Sequence, residues 1–227
     1  MKNKLDEILL SDNVVENFHN SYNGEFKEWL NTILPEVQLC EKQNQDNPWH
    51  IYNCLDHILH SVQEINSQTK TMPLEERRKL AYVMFFHDIG KPDSHVRRYS
   101  KLYKREVDSF FNHNIKSKEI ALRVMPNLGF SEKEQREMAL LIEEHDIFMF
   151  ITLVDDGNRY HKVLTDELVK DCILRYNDFG DGEKLLGDLI MVGRADNKAQ
   201  NPKLTKDSLR LLDCFKEKLQ NISQNCK

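Results

Sequence analysis

The sequence is poor in the two residues that most often form turns. It has 8 glycines and 6 prolines among 227 residues, about half of their average combined usage. Sandwiches and barrels need frequent turns, so this scarcity argues against them and favours long helices with short connections. We therefore predict an all-α protein. The length favours one domain with additions over two full domains.

The sequence also lacks a membrane span, a signal peptide and a disulfide framework. The most prominent apolar run, around Ala81 to Phe86, is far too short to cross a bilayer. At the N-terminus, Asp6 and Glu7 interrupt the apolar residues, which is unlike a signal peptide. The five cysteines form no CxxC pair, as expected of reduced thiols: Cys40, Cys54, Cys172, Cys214 and Cys226. We therefore expect a cytoplasmic protein without a membrane segment.

An excess of positive charge is absent as well. There are 32 lysines and arginines against 37 aspartates and glutamates, which leaves a formal net charge of −5. This balance does not attract a long nucleic acid or an anionic membrane. Any attraction for a phosphate group must therefore be local.

Helical periodicity runs through nearly the whole chain. Residues 1–46 read as two or three short helices that end in a polar stretch. Apolar residues at helical spacing then predict six longer helices. Pro73 begins one of them, and Ser131 with Glu134 forms a capping box at the start of another. The predicted helices cover approximately residues 51–65, 73–86, 110–124, 132–145, 183–199 and 207–219.

Histidines and aspartates fall on the apolar faces of these helices. The inward residues are His57, His87, Asp88, His113, His145 and Asp196. A single histidine on an apolar face is more often a hydrogen-bonded core residue, and Asp196 alone could pair with Arg194 or Lys198. A shared metal site explains inward histidines and aspartates on at least five helices better than separate hydrogen bonds do. A buried carboxylate is costly unless a cation or a hydrogen-bond donor compensates its charge. Imidazole and carboxylate ligands suit Fe, Mn, Co, Ni or Zn.

Five sequence segments carry a family resemblance: NPWHIYNCLDHILHSV, FFHDIGKP, FFNHNIKSKEIA, EEHD and RADNKAQN. Together they resemble the HD superfamily of metal-dependent phosphohydrolases, and most closely the HD domain of bacterial CCA-adding tRNA nucleotidyltransferases. The resemblance covers approximately residues 47–201. Residues 1–46 are too few to hold a nucleotidyltransferase head, so the resemblance implies a stand-alone HD domain. We predict that residues 202–227 form a C-terminal helix that packs on this domain. Asn114 departs from the family, which often has aspartate there.

The resemblance implies a fold and a ligand set. The fold is an HD-domain helical bundle with its metal site in the core. The minimal metal ligands are His57, His87, Asp88 and Asp196, with Asp88 as a bridge, while His113 and His145 complete a second site. We therefore expect two divalent transition-metal ions, with Mg²⁺ as a further candidate.

The expected reaction is hydrolysis of a phosphoester. A metal-bound water is acidified and becomes the nucleophile. The substrate would be a small phosphorylated molecule such as a nucleotide monophosphate or a cyclic phosphate. Asp88 and Lys91 are the predicted catalytic residues, and Lys91, Arg97 and Arg98 are predicted to bind the substrate. Lys91 could instead stabilise the end of its helix, and the segment from Arg97 to Arg105 could be a solvated loop.

Two other functions fit the same ligands. Some proteins with this dinuclear ligand set are di-iron oxygenases, and a nucleotide-binding domain could retain the metals without turnover. His60 lies one turn from His57 and could be a leaving-group acid or simply exposed. The sequence leaves the oligomeric state open.

Overall fold

The computed structural model describes residues 1–225 and consists mainly of α-helices, which confirms the predicted all-α class. Cys226, one of the predicted free thiols, lies outside the described residues. Eleven α-helices lie within that range: α1 (Lys2–Leu9), α2 (Val14–Ser21), α3 (Gly24–Ile33), α4 (Glu36–Lys42), α5 (Cys54–Thr69), α6 (Leu74–Phe86), α7 (His113–Val124), α8 (Glu132–Glu144), α9 (Asp166–Tyr176), α10 (Gly182–Lys198) and α11 (Lys206–Asn225). Short 3-10 helices occupy Pro92–Ser94 and Ile147–Phe150.

The N-terminal extension contains four short helices rather than the two or three expected. Each of α1 to α4 places apolar residues in the same core cluster as the longer helices. Phe18 of α2 and Cys40 of α4 are fully buried in that cluster. The first 46 residues therefore share one hydrophobic core with the rest of the chain.

Helices α5 and α6 form the centre of this core. α5 begins at Cys54, later than the predicted Ile51, because the side chain of Asn53 caps it by accepting a hydrogen bond from the Asp56 amide. Ile51 is consequently outside the helix and exposed. α6 is buried over its whole second half, from Lys79 to Phe86. The chain leaves α6 directly into the His87–Asp88 pair.

Helix α9 is absent from the sequence prediction. Thr165 caps its start by accepting a hydrogen bond from the Leu168 amide, and Asp166 and Glu167 occupy its first turn. These are ordinary start signals for a helix. Val169, Cys172 and Tyr176 bury its inner face at helical spacing. The sequence therefore contains the start signals and the apolar spacing of α9, although the prediction did not include this helix.

The basic segment after α6 is a β-hairpin rather than a loop. Strand β1 (His95–Ser100) pairs antiparallel with β2 (Arg105–Phe110). Lys104 adopts the left-handed conformation in the turn, with φ of 52°. Because Phe110 ends β2, α7 begins at His113 and not at the predicted Phe110. A second sheet is a minimal parallel pair, β3 (Ile151–Thr152) with β4 (Lys162–Val163).

The C-terminal helix packs on the same body. Leu212 and Phe215 of α11 are fully buried, and the Phe215 ring meets Phe148 edge to face at 5.3 Å between centroids. α11 contacts α9 and α10 along its length. Within residues 1–225, no helix combines the length and the apolar character that a membrane span requires.

Candidate metal centre

Five elements bring the predicted ligand residues to one point inside the bundle. His57 comes from α5, His87 and Asp88 follow α6, His113 begins α7, His145 follows α8, and Asp196 lies on α10. All six are buried except His113, whose side chain is 12 % exposed. The structure therefore assembles residues that lie far apart in the sequence.

Gly90 allows the segment after α6 to meet the start of α7. Its backbone amide donates a hydrogen bond to Ser117 Oγ at 2.9 Å. A Cβ atom at this position would lie only 2.6 Å from the Ser117 amide nitrogen and 2.7 Å from the His113 carbonyl oxygen. This close approach, which only glycine permits, places Asp88 beside His113.

The four histidines are oriented in the same way. The Nδ1 atom of each ring faces a backbone carbonyl oxygen: His57 faces Ala199 at 3.3 Å, His87 faces Met84 at 2.6 Å, His113 faces Phe110 at 2.8 Å and His145 faces Ile142 at 2.7 Å. A carbonyl only accepts, so Nδ1 is the protonated nitrogen and donates. Each Nε2 atom then presents its lone pair to the centre, as in a ligand held by a hydrogen bond on its far side.

The ligand atoms form two groups that share Asp88. In the first group, called site 1, Asp88 Oδ2 lies 3.0 Å from His57 Nε2 and 3.3 Å from His87 Nε2. Asp196 Oδ1 lies 2.9 Å and 3.5 Å from the same two nitrogens. Site 1 therefore offers two imidazoles and two carboxylates.

The second group, called site 2, uses the other oxygen of Asp88. Asp88 Oδ1 lies 3.1 Å from His113 Nε2 and 3.7 Å from His145 Nε2. These two nitrogens are 3.3 Å apart. The carboxylate of Asp88 thus points one oxygen into each group, which is the arrangement required of a bridging ligand.

Orphaned polar atoms show that both groups suit cations. Asp88 Oδ1 and Asp196 Oδ1 are buried, and no hydrogen bond reaches either of them within the described part of the chain. The Nε2 lone pairs of His57 and His87 also face each other, at 3.3 Å. Buried carboxylate oxygens without a hydrogen-bond donor are unfavourable. The two groups could hold metal ions, and their nitrogen and oxygen donors fit transition metals.

Without a metal, protons must balance the carboxylates. Burial alone would raise the pKa of Asp88, but Lys91 and the nearby imidazoles hold that pKa well below its usual range. Burial likewise disfavours charge on His87, but Asp88 and Asp196 raise its pKa to about 10. The pKa of His145 is lowered, chiefly because the ring is buried. Bound cations would replace the imidazole protons that this balance requires.

Lys91 lies inside the centre. Its Nζ atom is 2.5 Å from Asp88 Oδ2 and donates to Gln45 Oε1 at 2.8 Å, and the residue is only 4 % exposed. Burial opposes its charge, but Asp88 outweighs burial and raises the Lys91 pKa. The sequence suggested a lysine at the surface end of a helix or in contact with substrate. The structure places it against the bridging carboxylate.

The sequence analysis assigned no role to His50 and Gln45, which both contact Lys91. His50 Nε2 lies 3.5 Å from Lys91 Nζ, and its ring centroid is 5.1 Å from that of His57. Burial lowers the pKa of His50 well below its usual value, with the Lys91 charge adding to the effect. Gln45, the other residue, orients the lysine by accepting a hydrogen bond from its Nζ atom. Both residues precede α5, in a segment without helical periodicity, so the sequence did not show whether their side chains point inward.

Asp146 is a third residue that the sequence prediction did not assign. It follows His145 directly, and its carboxylate lies 3.2 Å from His113 Nε2 and 3.4 Å from His145 Nε2. The EEHD segment contained the signal, since a carboxylate next to an inward histidine can reach the same cation. Asn114, which departs from the family pattern, donates to the Glu143 carbonyl at 2.6 Å and ties α7 to α8.

The predicted substrate arginines lie on the β-hairpin. Arg97 is exposed and forms ion pairs with Asp108 at 3.0 Å and with Asp46 at 2.9 Å. Arg98 donates to Ser109 Oγ at 2.7 Å and is also exposed. His60 is half-buried and stacks on Tyr52, with 4.1 Å between ring centroids. Their predicted contacts with substrate remain predictions.

A cavity of about 590 Å³ opens beside site 2. Asp146 and Asn114, the neighbours of His145 and His113, form part of its wall. Much of the remaining wall is apolar, including Ile115, Ile147, Phe150, Ile151 and Leu168. None of the six predicted ligands lines this cavity, and Asp146 is the residue of its wall that contacts His113 and His145.

No protein-family model matches the chain, and no curated protein is significantly similar to it.

Proposed function

We propose that this protein is a metal-dependent phosphohydrolase of the HD type that holds two divalent transition-metal ions. The carrying observation is the position of Asp88, whose two oxygens face two separate pairs of imidazole nitrogens. A bridging carboxylate between two histidine-rich sites supports a dinuclear centre. The ordered histidines and aspartates of the sequence, which resemble the HD superfamily, support the same conclusion.

Two bound ions would acidify a water molecule and stabilise charge on the oxygens of a phosphoryl group. Hydrogen bonds hold the side chains of the centre in orientations that suit this chemistry. The hydrogen bonds at Nδ1 fix the imidazole rings, so little reorganisation is needed at the moment of reaction. Lys91 adds a buried positive charge next to Asp88, which would offset part of the negative charge of the carboxylates and the substrate.

The substrate class follows from the cavity and the charge of the chain. A volume of about 590 Å³ lies within the usual range for a site that holds a small organic ligand. Its apolar wall suits the organic part of a nucleotide or a similar small phosphoester. The net charge of −5 disfavours a long polyanion as substrate.

The test combines metal analysis with a substrate panel. Purified protein is analysed for metal content and assayed with nucleotide monophosphates, cyclic phosphates and p-nitrophenyl esters in the presence of several divalent metals. We expect bound transition metal and release of phosphate or an opened cyclic ester. Asp88→Asn should lose both, whereas Asp188→Asn, which alters a buried aspartate of α10 that pairs with Lys184, should keep the metal.

Other outcomes separate the alternatives. Iron content with O₂ uptake, and no hydrolysis of any ester, would indicate a di-iron oxygenase. Recovery of an intact bound nucleotide without turnover would indicate a binding domain. Normal hydrolysis by Asp88→Asn would show that the assigned centre is not the active site.

A further inference from the structure

The two sites of the centre differ in the ligands that the sequence assigns to them. Site 1 has two imidazoles and two carboxylates, from Asp88 and Asp196. Site 2 has two imidazoles but only the single carboxylate of Asp88. Both sites share Asp88, so site 2 lacks a counterpart to Asp196.

Asp146 lies next to both imidazoles of site 2. Its Oδ2 atom lies 3.2 Å from His113 Nε2 and its Oδ1 atom lies 3.4 Å from His145 Nε2. Asp196 lies at similar distances, 2.9 Å and 3.5 Å, from the two imidazoles of site 1. With Asp146 included, each site has two imidazole nitrogens and two carboxylates.

The position of Asp146 is not explained by an ion pair with a lysine or an arginine. Among residues 1–225, its carboxylate makes no ion pair with a lysine or arginine, and its close ionisable contacts are His113 and His145. The adjacent glutamates differ in this respect. Glu143 pairs with Lys118 at 2.6 Å, and Glu144 pairs with Arg175 at 2.9 Å.

The imidazoles themselves do not satisfy Asp146 in their neutral form. His113 and His145 each use Nδ1–H to donate to a backbone carbonyl, so their Nε2 lone pairs face the carboxylate. Asp88 Oδ1, which is buried without a hydrogen bond, faces the same space. Ring nitrogens that face carboxylate oxygens without a proton to share suit a cation better than a hydrogen-bond network.

We propose that Asp146 is a ligand of the second metal ion and completes site 2 as a match for site 1. Its side chain is 24 % exposed and forms part of the wall of the 590 Å³ cavity. In contrast, the Asp196 side chain is only 8 % exposed. These contacts put the second ion nearer to the cavity than the first. This inference rests on the proposed function only in requiring that the centre binds metal.

The experiment measures Mn²⁺ binding to metal-free protein by calorimetry, with two variants. Wild type should bind two ions. Asp146→Asn should keep the ion of site 1 and bind the second at least about tenfold more weakly, since even indirect supports of a metal ligand contribute that much. Asp171→Asn changes a carboxylate elsewhere on the cavity wall and should bind both ions as wild type does.

A rescue variant separates ligation from folding. Asp146→Glu keeps the carboxylate and should recover most of the affinity for the second ion, whereas Asp146→Asn should not. Unchanged binding of two ions by Asp146→Asn would overturn the inference and leave the proposed function standing. Loss of both ions in Asp146→Asn and Asp146→Glu alike would also overturn it. Failure of wild type to bind any metal would instead defeat the proposed function itself.

Discussion

The direction of each ligand atom is determined by the hydrogen bond on the opposite side of its ring. Four backbone carbonyls receive the four Nδ1 protons, and three of them lie three residues before the histidine they hold. His57 is the exception, because its partner is Ala199, just beyond Asp196. The end of α10 thus orients a ligand on α5 and also supplies one. Gln200 adds a hydrogen bond to Asp196 Oδ2 at 2.9 Å.

Two aspartates of α10 allow a matched test at the residue scale. Asp196 and Asp188 are both buried, at 6 % and 2 % exposed, but only Asp196 faces the centre. Asp188 lies 2.9 Å from Lys184 and 3.6 Å from Lys79. We expect Asp196→Asn to lose the ion of site 1, because site 1 keeps only one charged carboxylate.

The control should show the opposite pattern. Asp188→Asn weakens buried ion pairs, so we expect it to lower the free energy of unfolding by about 1–3 kcal/mol while metal content stays unchanged. Metal analysis and urea unfolding of the two variants check both expectations. Full metal retention in Asp196→Asn would remove this residue from the ligand set.

Close contacts between elements decide whether the ligands meet. The segment after α6 reaches α7 only because Gly90 has no side chain, and the β-hairpin that follows is anchored at Asp108. That buried carboxylate lies 2.9 Å from His95 Nε2 and accepts from the Asp46 amide at 2.7 Å. Site 2 therefore depends on how α7 is held against the end of α6.

Gly90→Ala tests this dependence. The new methyl group would meet backbone atoms of α7 that lie 2.6–2.7 Å away, so the segment and the helix must separate. We expect a loss of about 1–3 kcal/mol in the free energy of unfolding and a greater loss of affinity at site 2 than at site 1. Unfolding and Mn²⁺ titration measure the two effects.

Gly187→Ala provides the matched control in a helix. The nearest atom to a Cβ there is Leu219 Cδ2 at 3.9 Å, an ordinary contact. Alanine is the better helix former by about 1 kcal/mol, so this variant should be neutral or more stable, with both ions bound. Equal metal binding by Gly90→Ala and wild type would show that the close approach does not position Asp88.

The hairpin arginines can be tested separately. Arg97 contacts Asp46 and Asp108, so its removal also loosens the hairpin, whereas Arg98 bonds only to Ser109 among the described polar side chains. If these side chains bind phosphate, Arg97→Ala with Arg98→Ala should raise KM about tenfold or more, since a charged hydrogen bond contributes about 1.5–3 kcal/mol. Metal content should not change.

Arg98→Ala alone is the more specific measurement. It leaves the Asp46 and Asp108 contacts intact, so any rise in KM reports contact with the substrate. Kinetics of the single and double variants that match wild type, with metal still bound, would assign the arginines to the surface of the hairpin only.

At the scale of the whole molecule, one apolar core surrounds the charged centre. The core cluster extends from α1 to α11 and includes all the long helices. Its size distinguishes this protein from small domains that metal alone holds together. Metal bound at the centre would therefore add stability to a fold that apolar burial already provides.

Metal removal should consequently destabilise the protein without unfolding it. An ion present at a hundred times its dissociation constant stabilises the native state by about 2.7 kcal/mol. We expect a chelator to lower Tm by several degrees, with helical circular dichroism at room temperature unchanged. Complete unfolding on chelation would show that the core is not sufficient, and an unchanged Tm would show that no metal was bound.

The sequence by itself determined the class of fold and the chemistry available. Few glycines and prolines together with helical periodicity predicted the all-α class, and inward His57, His87, Asp88, His113, His145 and Asp196 predicted a candidate metal centre. Periodicity works for this purpose because it reports which face of each helix is buried. The capping box at Ser131 and Glu134 was also predicted correctly, since it depends only on neighbouring residues.

Only the tertiary structure decided which inward residues meet and in what orientation. Periodicity within one helix contains no information on the partner that packs against it. The two directions of the Asp88 carboxylate, the burial of Lys91 and the approach of Asp146 to His113 all depend on contacts between elements distant in sequence. The β-hairpin was missed for the same reason, because its anchor joins Asp108 to Asp46, the last residue of the N-terminal extension.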